Sequence, residues 1–85
     1  MAWQNGLVAT LRLFAQARES AGAGTVDLPG DTVGQVLDQA VDRFGQHFQT
    51  ILDGSKVWLN GNPTDRSADV APTDEVAVLP PVSGG

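Results

Sequence analysis

Residues 31–45 hold the feature that most restricts the fold: one apolar stripe at helical spacing, bounded by its own start and stop signals. Val33, Val36, Leu37, Ala40, Val41 and Phe44 recur on a single face of a 3.6-residue period. Asp31-Thr32 precede them where an N-cap belongs, and Thr32 with Gln35 makes a capping-box pair that satisfies two orphan amides. Gly45 follows at a position that favours a left-handed C-cap. Asp38, Asp42 and Arg43 fall mainly off the stripe and face water. A helix with one apolar face must bury it against a second layer.

The rest of the chain supplies that layer as strands. Residues 7–14 alternate, with Leu7, Ala9, Leu11 and Leu13 on one face and Val8, Thr10, Arg12 and Phe14 on the other. Residues 14–21 are good helix formers ending at Gly22, which reads as a short helical turn within a connection. Residues 25–28 form a second short strand closed by Pro29-Gly30, and the two strands make a wide hairpin. After the helix, Phe48, Ile51 and Leu52 pack a loop against the core. Residues 56–59 read as a strand, Asn60-Gly61 as a tight turn, and Asn62-Pro63 as a continuation of the break. A weak strand or turn covers residues 66–70. Residues 75–79 form the last strand, with Val76 and Val78 on one face.

One helix over a mixed sheet of four to five strands is an α+β arrangement, and its natural form is the β-grasp, or ubiquitin-like, fold. In it the first and last strands lie side by side at the centre. The expected division is a domain over residues 1–79 and a flexible C-terminal tail over residues 80–85.

The 85-residue length allows one domain, near the lower limit for a self-sufficient core. The absence of cysteine removes disulfides, thiolate metal sites and cysteine nucleophiles, and fits a reducing compartment. No apolar run has transmembrane length and no signal pattern opens the chain, so the expected location is cytoplasmic, away from membranes. The net charge of −5 repels phosphate backbones and argues against nucleic acid. A protein with a basic face is the better partner for such a surface.

The tail carries the chemistry. Pro80 and Pro81 stop the last strand and stiffen the exit, and Gly84-Gly85 end the chain without side chains. Glycine enters a narrow channel and adopts φ values closed to other residues. A partner enzyme is thereby able to draw the Gly85 carboxylate beside ATP, whose α-phosphate it attacks. The resulting acyl-adenylate is open to a sulfur donor and becomes a thiocarboxylate. This chain has no P-loop, Gly-rich phosphate loop or convincing metal cluster, so it binds no cofactor itself and leaves ATP and Mg to the activating enzyme.

Three segments carry a resemblance to a known family: residues 13–19, Leu-Phe-Ala-Gln-Ala-Arg-Glu; residues 57–61, Val-Trp-Leu-Asn-Gly; and residues 74–85, Asp-Glu-Val-Ala-Val-Leu-Pro-Pro-Val-Ser-Gly-Gly. Together, in order, they resemble the MoaD/ThiS-like sulfur carriers, most closely the small subunit of molybdopterin synthase. That resemblance implies a subunit with no catalysis of its own, which donates sulfur from a Gly85 thiocarboxylate in molybdenum cofactor biosynthesis. It further implies three partners: an E1-like adenylyltransferase, a sulfurtransferase, and the large synthase subunit in a heterotetramer. Gly85 would be the chemical site, Gly84 would let it enter, and Pro80, Pro81, Val82 and Ser83 would form the arm.

Phe14, Arg18 and Glu19 are candidates for a partner surface, weighed against an ordinary solvated turn. Trp58 reads as core or edge packing. Trp3 has no assigned role, and His47, alone after the helix, reads as structural or surface rather than as a ligand. Lys56 is the only lysine and hence the single side-chain candidate for lysine modification. The same tail chemistry serves a ubiquitin-like modifier of the archaeal small-modifier type, and a carrier for thiazole or cysteine synthesis. An interaction module without transfer chemistry remains the third alternative.

Overall fold

The computed structural model describes residues 8–81 of the chain. Five strands and three helices follow in order: β1 (Ala9–Leu13), α1 (Ala15–Ala21), β2 (Thr25–Leu28), α2 (Val33–Phe44), α3 (Gln46–Asp53), β3 (Lys56–Leu59), β4 (Asn62–Pro63) and β5 (Glu75–Leu79). The strands form one mixed sheet in the order β2-β1-β5-β3-β4. The first and last strands are parallel and central, and every other pairing is antiparallel. This is the expected β-grasp.

Alternation decides which face is buried. Leu11 stands opposite Val76, and Leu13 opposite Val78, across the parallel pair. All four are nearly inaccessible to solvent, together with Val33, Val36, Leu37 and Ala40 of the α2 stripe. Val41 and Phe44 sit at the margin, partly buried against that core. Leu7 and Trp3 lie outside the described residues.

The α2 start is closed by three kinds of partner. Thr32 Oγ1 accepts from the Gln35 amide at 3.2 Å, and the Thr32 carbonyl accepts from Val36 N at 3.1 Å. The carbonyls of Ala68 and Arg66 take the amides of Val33 and Gly34, each at 2.9 Å. The reciprocal capping-box bond is displaced by one residue: Gln35 Oε1 accepts from Asp31 N at 2.7 Å, not from Thr32. Residues 66–70 therefore act as a lid on the helix end, with an isolated bridge between Thr32 and Asp69 in place of a strand.

Four local expectations change. The turn after β1 is a full seven-residue helix, α1, because Ala17 is buried completely beneath it. The loop carrying Phe48, Ile51 and Leu52 is the eight-residue helix α3. Those three positions share one helical face, and Phe48, fully buried, meets Phe44 with ring centroids 5.2 Å apart. Gly45 has φ 95° and ψ −169°, not a left-handed cap, because the chain passes straight from α2 into α3 there. Asn62-Pro63 pairs with β3 as β4, which proline tolerates at a sheet edge.

No helix among the described residues is long and apolar enough to cross a membrane.

Candidate functional site

Because β1 and β5 run parallel, both deliver the chain to the same end of the sheet. The register pairs Leu13 with Val78 and, across the other side of β5, Lys56 with Leu79. The C-terminal segment thus leaves the sheet between the Phe14 corner and the start of β3. Pro80 is still buried and Pro81 is exposed, so the exit is seated in the domain by one proline before the chain reaches solvent. Val82, Ser83, Gly84 and Gly85 lie outside the described residues.

Phe14 is the one large hydrophobic side chain among the described residues left exposed, at 40%. Its backbone explains its presentation. The extended Phe14 (φ −124°, ψ 156°) serves as N-cap of α1, and its carbonyl accepts from Ala17 N at 3.0 Å and from Arg18 N at 3.3 Å. Ala15 then adopts φ 49°, a left-handed conformation that a residue with a Cβ enters at a cost of about 1–2 kcal/mol. The strained step lies directly beside the exposed aromatic ring, where an observed outlier points to function.

The face of the sheet opposite the helices continues this surface. By alternation it carries Thr10 and Arg12 of β1, Glu75, Ala77 and Leu79 of β5, and Lys56 and Trp58 of β3. Ala77, Leu79 and Trp58 are half-buried, so Trp58 belongs to the open face rather than to the core. Arg12 Nε donates to Glu75 Oε2 at 2.8 Å across the central pair. Both side chains are about half exposed, so this pair orders the face more than it stabilises the fold.

Arg18 and Glu19 line one groove with Ala15, Gly22, Ala23 and Gly24, and Glu19 extends to a second. The Arg18 side chain lies over Gly24, whose carbonyl takes the Leu13 amide at 2.8 Å, so Arg18 belongs to the exit end. Glu19 reaches a groove between α1 and α3 shared with Gln16, Ser20, His47 and Ile51. There Ser20 Oγ and His47 Nδ1 are 3.3 Å apart. No group of metal-binding side chains occurs among the described residues. Asp38 pairs with Arg66, and the α2 amides are already occupied, so that helix start is no anion site.

Asn60 has a role that its turn signal did not reveal. It adopts φ 50°, and its amide donates to the Glu75 carbonyl at 2.8 Å. Its Oδ1 accepts from Glu75 N at 2.9 Å, and its Nδ2 donates to Asp74 Oδ1 at 3.0 Å. Asp74 Oδ2 also accepts from Ala71 N at 2.8 Å, and these bonds, led by the Ala71 amide, hold its carboxyl below the usual range. The clamp fixes where β5 begins, and so where Pro80 emerges. Leu79 was likewise absent from the sequence-based candidates, and Lys56 was singled out there only as a candidate for lysine modification. The alternation of residues 75–79 placed Leu79 on the open face, but only the β3–β5 register brings Lys56 beside it.

Known proteins share both the sequence and the shape. The profile of the ThiS family matches residues 11–85. A molybdopterin synthase sulfur carrier subunit of Arabidopsis thaliana is 38% identical over 76 residues, covering 86% of this chain and 78% of its own. Small archaeal modifier protein 1 of Haloferax volcanii is 39% identical over 85 residues, covering 87% of this chain and 97% of its own. The solution structure of small archaeal modifier protein 1 from Methanosarcina acetivorans superposes with a TM-score of 0.83 at 26% identity, covering 93% and 97% of the two chains.

Proposed function

The chain belongs to the ThiS family, and on that premise we propose that it is a cytoplasmic sulfur carrier acting as the small subunit of molybdopterin synthase. The observation that carries the reading is the meeting of the exit with the exposed corner. The family match extends to Gly85, and the root of that last segment leaves the sheet beside Phe14 and Leu79. A partner that grips Phe14, Leu79 and Trp58 also takes hold of the emerging tail.

In this reading the domain is a handle and the tail, from Pro81 onward, is the substrate. An E1-like enzyme binds Mg-ATP and receives Gly85. The Gly85 carboxylate attacks the α-phosphorus and pyrophosphate leaves; a persulfide on the sulfurtransferase displaces AMP to give an acyl disulfide, and a thiol cleaves that S–S bond, forming a disulfide with the sulfurtransferase and releasing the thiocarboxylate. Glycine at 84 and 85 lets the tail pass a narrow channel. The large synthase subunit then receives the charged tail, two carriers per heterotetramer, and sulfur passes to the molybdopterin precursor.

The test is reconstitution with a large synthase subunit and the precursor. Thiocarboxylated protein should yield the dithiolene product, and protein lacking Gly85 should yield none. A product formed equally well without Gly85 would refute the role.

A second reading has its own support in the likeness to a small archaeal modifier protein over 97% of that protein's length. There Gly85 ends as an amide on a lysine of another protein. High-mass conjugates in cells, lost on deletion of Gly85, would favour it; their absence alongside dithiolene formation would favour the carrier alone.

A further inference from the structure

We propose that the free edge of β2 is a docking site, at which an extended basic segment of a partner protein adds to the sheet as one more strand. β2 is an outermost strand and pairs on one side only, with β1. The Leu13 amide donates to the Gly24 carbonyl at 2.8 Å, which sets the alternation of that ladder. Gly24–Leu13, Val26–Leu11 and Leu28–Ala9 are then its hydrogen-bonded rungs, and Thr25 and Asp27 stand at the intervening positions. The main-chain N–H and C=O groups of Thr25 and Asp27 therefore point away from β1. Both residues are exposed, and no other main-chain or side-chain group among the described residues bonds to these outward groups. An added strand would pair with them through its own main chain, with selectivity left to its alternate side chains.

Those side chains have a place to go. Val26 and Leu28 turn toward the helices, and a groove lies between the edge and α2, with Leu28 and Pro29 on one side and Gln39, Asp42 and Arg43 on the other. A second groove shares Pro29 and Gln39 and reaches Asp31 and Asp38.

Charge selects the occupant. Asp27, Asp31 and Asp42 are exposed and make no ion pair among the described residues. Asp38 is already held by Arg66, and the two grooves include one cation, Arg43. A strand bearing lysine or arginine meets complementary charge along this edge. A second copy of this chain would instead bring its own Asp27 and Asp42 against the same acids, which disfavours self-pairing. The order β2-β1-β5 sets the added strand three spacings, about 14 Å, from β5. A partner held at this edge leaves β5 and β3 uncovered for another protein.

NMR titration and amide hydrogen exchange of the full-length protein test the proposal, with the peptide acetyl-Lys-Val-Arg-Val-Lys-amide as probe. In the free protein the Thr25 and Asp27 amides should exchange about tenfold or more faster than those of Val26 and Leu28. Saturating peptide should shift the Thr25 and Asp27 resonances and slow their exchange severalfold. Raising the salt from about 0.05 to about 0.5 M should weaken binding severalfold. The same peptide N-methylated at every residue keeps its charge and loses its main-chain donors, and it should not bind. Thr25→Pro removes one outward N–H without altering charge, at an edge that tolerates proline, and should weaken binding severalfold while Val26 and Leu28 stay protected. Equal binding of the N-methylated peptide would overturn the proposal, since charge alone would then hold the probe. Absence of binding, or binding that leaves Thr25 and Asp27 unmoved, would overturn it too. So would slow exchange of these two amides in the free protein, which would mean that its own chain or a second copy already covers the edge.

Discussion

Replacing Asn60 separates what its side chain does from what its backbone does. Asn60→Gly keeps the left-handed φ of 50° and the main-chain bond to Glu75. It removes only the two side-chain bonds, to Glu75 N at 2.9 Å and Asp74 Oδ1 at 3.0 Å. At a net value of about 0.5–1.5 kcal/mol each, the loss is about 1–3 kcal/mol. Asn60→Ala loses the same bonds and keeps a Cβ without the tolerance of φ > 0 that asparagine has, so it should cost roughly 1 kcal/mol more than the glycine variant. In a domain of this size each kilocalorie lowers Tm by about 4–8 °C. Urea and thermal unfolding of both variants give the comparison, and a cycle with Asp74→Ala isolates the Asn60–Asp74 bond, with a coupling of about 0.5–1 kcal/mol. The reasoning fails if glycine is as damaging as alanine, since the φ would then carry no strain. It also fails if both variants unfold with the wild type, since the clamp would then hold nothing.

Three further expectations follow from the same geometry. Ala15→Gly, which in an ordinary helix position would cost about 1 kcal/mol, should leave stability unchanged or raise it, because φ at Ala15 is 49°; a Tm drop of several degrees would contradict the strained step. Phe48→Ala should cost about 3–5 kcal/mol, since that ring is fully buried, whereas Phe14→Ala should change unfolding little and weaken capture of the activating enzyme instead. On acidification, Asp65 and Asp74 have folded-state pKa values held below their ordinary ones, first by the Ser67 hydroxyl and by the Ala71 amide respectively. Each contributes stability that is full above the unfolded-state pKa and is lost as pH falls through the folded one. Unfolding curves from pH 6 downward should therefore flatten in an Asp65→Asn/Asp74→Asn variant; an unchanged slope would contradict the assignment.

Strong periodicity with matching end signals was readable in the chain: α2, with Thr32 before it and Gly45 after it, appears where its stripe places it, and β2, β3 and β5 keep their expected bounds. What escaped was held by distant partners. Phe48, Ile51 and Leu52 have helical spacing, but eight residues between Gly45 and Gly54 form no stable helix alone. Only the Phe44–Phe48 contact and the core beneath make that segment helical. β4 was hidden by Pro63, a residue that breaks central strands and is tolerated at an edge. The Asn60 signal announced a turn, while its bonds run to Asp74 and Glu75, fourteen and fifteen residues away. Ala15 gives no sign of its left-handed backbone, since alanine is among the residues least expected there. The candidate site divides in the same way. Phe14 and the ending Gly84-Gly85 stand out in the sequence, whereas the meeting of Phe14, Leu79 and Lys56 at one end depends on the β1–β5–β3 register.

The central claim is that Gly85 carries sulfur, and the intact mass of the purified protein tests it most directly. After incubation with Mg-ATP, an E1-like enzyme and a sulfur source, the mass should rise by the difference between sulfur and oxygen. Fragmentation should place that change at Gly85, and a variant lacking Gly85 should show none. An unchanged mass with E1-like enzymes proven active on their own carriers would contradict the sulfur-carrier account.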